Sequence, residues 1–123
     1  MADIFENIYT KAVDEQKKFP SDKYPTIEGI RLEQIINRRF TIKDARMGMG
    51  KTKNDKGEFV DKENIHILLE IDGTEKVLIT GAYRIVTTFK YLINKNDIGA
   101  IVGTSAIIYQ VSPKEGYNIR TAD

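Results

Sequence analysis

A mainly β fold, a small barrel of five strands with one helix between the third and fourth, is predicted by three features of the sequence. Residues 64–71 alternate strictly, with Ile65, Ile67, Leu69 and Ile71 on one side and Asn64, His66, Leu68 and Glu70 on the other. That is the period of a half-buried strand. Asp72-Gly73 follows at once, the dipeptide that best supports a tight hairpin. Residues 82–94 then change to helical spacing, placing Ile85, Val86, Phe89, Leu92 and Ile93 on one stripe.

The remaining elements fall into order around these. Residues 2–18 read as an amphipathic helix, with Ile4, Ile8 and Val13 recurring beside Phe5 and Ala12. Pro20 and Pro25 break it, because each proline disfavours helix in the residue before it. Residues 1–26 are therefore expected to be an N-terminal helical arm, and residues 27–123 the barrel domain. Ile30, Leu32, Ile35 and Ile36 suit a short helical turn. Phe40 and Ile42 alternating with Arg39, Thr41 and Lys43 mark a first strand over residues 38–46. Residues 47–61 read as a long loop, 64–71 as the second strand and 76–81 as the third, with Thr80 a candidate cap for the helix. Residues 104–111 and 117–121 are the last strands, the turn between them holding Pro113 and Gly116. Tyr109, sharing parity with Ile107 and Val111, is expected in the core, as is Tyr117 with Ile119. Five strands with a helix between the third and fourth are the plan of an OB-fold barrel. An open α+β sheet competes with it, and an SH3-like barrel less so, since that plan lacks a four-turn helix at this point.

Composition removes several classes of function. A chain of 123 residues can close one core, not two. No apolar run approaches the roughly 18 to 20 residues a membrane-spanning helix needs. The acidic first residues are unlike the basic start of a signal peptide. Without cysteine there is no disulfide, thiolate metal site or cysteine nucleophile, and a cytoplasmic location is expected. The single histidine excludes any site that needs two imidazoles. No catalytic group, metal or cofactor is expected.

The charge is unevenly distributed. Residues 38–62 carry eight Lys and Arg against four acids, whereas residues 1–37 carry five against seven and residues 63–123 six against seven. A basic strand followed by a lysine-rich loop suits a polyanion. Arg38, Arg39, Lys43, Arg46, Lys51, Lys53 and Lys56 are the candidate phosphate contacts. Phe59 and His66, an aromatic in a hydrophilic loop and an imidazole on a strand's outer face, are the candidate stacking groups. A local hydrophobic tuck of Phe59 and a plain surface role for His66 fit as well. Residues 45–52, ending in Gly50-Lys51-Thr52, match a relaxed P-loop pattern with alanine in place of the first glycine. A P-loop needs a helix to begin at the lysine, and Asn54, Asp55 and Gly57 are poor material for one.

The chain resembles the small single-stranded-DNA-binding proteins of bacteriophages and related mobile elements. The resemblance covers residues 29–121. It rests on the entry at residues 32–37 into the strand at 40–45, on the strand at 65–73, and on residues 77–81 leading through Thr80-Gly81 into the helix at 83–92. It implies an OB-fold and non-catalytic, largely sequence-independent binding of single-stranded DNA in replication, recombination or repair. Replication or recombination proteins and further copies of the chain are open as partners; a membrane is not. Many such proteins carry an acidic C-terminal tail, whereas this sequence ends Thr121-Ala122-Asp123, and its N-terminal arm is additional. Two other functions fit the residues: an accessory or inhibitor module docking through the arm, and a small nucleotide-binding enzyme using residues 45–52.

Overall fold

The computed structural model describes residues 21–122 together with Ile4, Phe5, Asn7 and Ile8. Those four are helical; the rest of the helix expected over residues 2–18 lies outside the described residues.

One six-stranded sheet curls into a half-barrel. Its elements are β1 (Gly29–Ile30), α1 (Leu32–Ile35), β2 (Phe40–Lys53), β3 (Phe59–Ile71), β4 (Thr74–Thr80), α2 (Tyr83–Asn94), a 3-10 turn (Ile98–Ala100), β5 (Ser105–Ser112) and β6 (Gly116–Thr121). The strand order is β1-β4-β3-β2-β5-β6, with every pairing antiparallel except β1 with β4. The strand count thus differs from the expected five. Gly29–Ile30 adds a parallel edge strand, and two residues are too few to reveal a period in sequence. The long helix accordingly lies between the fourth and fifth strands, and a short one precedes β2.

The strict alternation of β3 becomes the inner wall. Ile65, Ile67, Leu69 and Ile71 are buried with Leu78 of β4, Ala106 and Ile108 of β5, and Ile85 and Phe89 of α2. At the β3–β4 turn Asp72 and Gly73 both take positive φ, 52° and 79°. That is the backbone of the primed turns whose twist matches a hairpin. In β5 the core parity is the opposite of the expected one. Ala106 and Ile108 face inward while Ile107, Tyr109 and Val111 are half-buried on the other face. Tyr117 does pack against the core.

A bulge at Lys43 gives β2 its two roles. Residues 40 and 41 pair with β5, and the register slips between Ile42 and Asp44 before β2 continues along β3. An extra residue reverses the alternation. Phe40 and Ile42 are buried before the bulge and Ala45 after it, so Asp44 and Arg46 belong to the outer face. No described helix is long and apolar enough to cross a membrane.

Candidate nucleic-acid interface

The expected long loop over residues 47–61 is a β-ribbon. β2 runs on to Lys53 and β3 begins at Phe59, with Lys53 opposite Phe59, Thr52 opposite Val60 and Lys51 opposite Asp61. β4 pairs β3 only from Ile65 onward, so residues 48–53 and 59–64 pair with each other alone and project from the barrel. Six residues of strand reach about 20 Å. Glycine and lysine obscured this in the sequence because both are depleted in strands. Cross-strand pairs hold the ribbon instead. Lys51 binds Asp61, and the Lys53 ammonium lies 5.3 Å from the centre of the Phe59 ring. The tip is ordered by Asn54, whose Oδ1 accepts hydrogen bonds from the amides of Lys56 and Glu58 at 2.9 and 3.0 Å. Gly57, at φ 78°, completes the turn.

Residues 45–52 therefore lie wholly within β2, which continues as strand through Lys53. Lys51 begins no helix, and the backbone lacks the helix N-terminus with which a P-loop faces phosphate.

His66 requires a correction. It projects from the outer face as its parity predicts, yet it is only 4% exposed. Residues 21–24, assigned to the arm in the sequence reading, lie over it. The buried Ser21 hydroxyl is hydrogen-bonded to His66 Nδ1 and accepts the Lys23 amide at 3.0 Å. The Lys23 amide takes one of the hydroxyl's two lone pairs, and the tautomer of the ring sets which of Ser21 and Nδ1 donates in the bond between them. Two residues on, Tyr24 donates to Asp44 Oδ2 at 2.9 Å, pinning the segment across β2 as well. Burial holds the imidazole below its ordinary pKa; the Asp22 carboxylate opposes that shift and Lys23 adds to it. The Tyr24 phenol is pushed up by burial and by its hydrogen bond to Asp44. His66 is thus closed to any base.

Gly48 makes this arrangement possible. A Cβ there would lie 2.7 Å from His66 Cδ2 and 2.5 Å from Asn64 Oδ1. The ring and the amide cross the strand where Gly48 has no side chain, a close approach and not a flexible point.

The basic residues divide into two groups. Arg38 pairs with Asp72, Lys43 with Glu70 at 3.4 Å, Arg46 with Asp44 at 3.5 Å and Lys51 with Asp61. Arg39 is exposed. Lys53, Lys56 and Lys62 are exposed and have no carboxylate partner among the described residues. All three belong to the ribbon. Phe59 is exposed beside them at 69%, so the local tuck does not occur.

Two further aromatics, which the sequence places only off the apolar centre of the helix, are exposed in the structure. Tyr83 and Tyr91 of α2 are 82% and 63% exposed and border an open cleft of about 490 Å³ at the base of the ribbon, where Lys62 and Glu63 form the other rim. Their position off the apolar stripe of an amphipathic helix was the available signal.

Comparison with protein families, with curated proteins and with solved structures finds no match to this chain.

Proposed function

We propose that this protein binds single-stranded DNA without catalysis and largely without regard to sequence, using the β2–β3 ribbon as its principal contact. The observation that carries the reading is the ribbon itself: a projecting element on which Lys53, Lys56 and Lys62 have no carboxylate partner among the described residues and Phe59 is exposed under Lys53. Lysines track phosphates and an exposed ring stacks on any base, so the combination is tolerant of sequence. The four surface ion pairs around it are each worth about 0–1 kcal/mol, and a phosphate can compete for their cations. The order of the five long strands and the helix between β4 and β5 suit an OB-type barrel, in which the loop between the first two long strands contacts nucleic acid. The outer face at His66, which such a barrel would also use, is occupied by residues 21–24. Binding in replication, recombination or repair is the corresponding role.

The test is fluorescence anisotropy with labelled oligo-dT and the Lys53→Ala/Lys56→Ala/Lys62→Ala variant. Loss of three phosphate contacts lowers the slope of log affinity against log salt by about 2. An unchanged slope removes the ribbon from the site.

A second reading has one observation in its favour. Ile4 and Ile8 are helical and 67% and 55% exposed, which suits an accessory module docking through residues 1–26. Deleting residues 1–18 would abolish complex formation on that reading and spare oligonucleotide binding on the first.

A further inference from the structure

We propose that the cleft between α2 and the base of the ribbon is a second base-stacking subsite for the same single strand, with Tyr83 and Tyr91 as its stacking faces and Lys62 as its phosphate contact. The proposal rests on the single-strand reading and extends it from the ribbon onto the helix.

The argument starts from α2. Its inner face buries Ile85, Val86 and Phe89, which fixes the helix on the sheet and fixes what points outward. Tyrosine usually buries most of its ring. Here two rings on one helix are left in solvent, one near each end, facing one open cleft. Eight residues of helix separate them by about 12 Å along the axis. That is the rise of three to four stacked nucleotides at about 3.4 Å each. The rings therefore engage different bases and cannot sandwich one.

Charge favours a polyanion as the occupant. Glu63, the acid on the rim, is neutralised by Lys90 at 2.8 Å. Lys62 has no carboxylate partner among the described residues, and its stem lies against Gly81, where a Cβ would come within 3.4 Å of Cε. Gly81 leaves room for that stem to lie along the cleft. At the far end the Lys95 ammonium sits 5.9 Å from the Tyr91 ring centre, repeating the pairing of Lys53 with Phe59 at the ribbon tip. Cation and ring together offer a phosphate contact and a stacking face to one nucleotide. Phe59 and Glu63 share one face of β3, about 14 Å apart at four residues of strand. A strand leaving Phe59 along that face arrives at the cleft.

The experiment uses full-length protein and fluorescein-labelled oligo-dT of 20 nucleotides, with wild type, Tyr83→Ala/Tyr91→Ala, Tyr83→Phe/Tyr91→Phe and Lys62→Ala. The alanine pair is expected to weaken binding by about 5- to 150-fold for each base stack lost, with the salt slope unchanged because the rings carry no charge. The phenylalanine pair should bind like wild type, and Lys62→Ala should lower the slope by about 0.7. If wild type binds and the alanine pair binds equally well, the cleft is not a subsite while the ribbon reading stands. Loss in the alanine pair that phenylalanine does not restore overturns stacking as the mechanism. If wild type fails to bind at low salt, both proposals fall together.

Discussion

Gly48→Ala puts the local architecture under a test whose sign is diagnostic. In an ordinary strand, replacing glycine by alanine removes backbone freedom from the unfolded chain and stabilises by roughly 0.5–1 kcal/mol. Position 48 is not ordinary. The new methyl would lie 2.5 Å from Asn64 Oδ1 and 2.7 Å from His66 Cδ2, well inside contact distance. The neighbours are a buried imidazole and a half-buried amide, neither of them the loose end of a surface chain. Overpacking of this kind costs about 1–3 kcal/mol. If the ring moves aside it also gives up the Ser21 hydrogen bond, worth roughly 0.5–1.5 kcal/mol. The clash outweighs the propensity gain, and net destabilisation of about 1–3 kcal/mol follows. Urea unfolding should give a midpoint lower by roughly 1 M at unchanged m. Gly50→Ala, whose Cβ would meet only Asn64 Nδ2 at 3.1 Å and Lys62 O at 3.9 Å, should change little. Combining Gly48→Ala with His66→Ala should recover part of the loss, a coupling above about 0.5 kcal/mol. A Gly48→Ala midpoint at or above wild type would refute the reasoning, since the ring could not then lie across that glycine.

Stability should also fall on acidification below about pH 6.5, the ordinary pKa of the imidazole. The folded-state pKa is depressed, so the unfolded chain takes up the proton first, and the stability present above pH 6.5 is lost as pH falls toward the folded value. The slope is at most about 1.4 kcal/mol per pH unit, and comparing wild type with His66→Gln at pH 7.5 and 5.5 isolates it from the carboxylates. Phe40→Ala and Phe59→Ala should separate core from interface: the first, 2% exposed, loses about 3–5 kcal/mol in urea unfolding, and the second, 69% exposed, less than about 1 kcal/mol. Equal losses would mean that Phe59 is a packing residue.

The parts of the fold legible in the sequence are those where one physical signal dominates. The β3 alternation, the Asp72-Gly73 turn and the amphipathic α2 stand in the structure close to where their periods and turn chemistry put them. The ribbon was hidden because its strand character comes from cross-strand partners, not from β-forming residues. Lys51 needs Asp61, ten positions away, before it reads as strand. Gly48 looks like punctuation until His66 is known to lie over it. The same holds for His66 itself: its outward parity was readable, but its cover by Ser21, forty-five residues earlier, was not. The Lys43 bulge reversed the alternation of β2 with no mark in composition. Charge gathered over residues 38–62 overstates the free cation there, because Arg38, Lys43, Arg46 and Lys51 are tied to carboxylates scattered through the chain.

The central claim, a single-strand binder working through the ribbon, is most directly tested by titrating wild-type protein against labelled oligo-dT and a matched duplex across a series of salt concentrations. The account predicts preference for the single strand and a log–log salt slope of about −2 or steeper, with about −0.7 from each of Lys53, Lys56 and Lys62 and more from any further cation a phosphate recruits. Absence of single-strand binding at low salt, or equal affinity for the duplex, would contradict it.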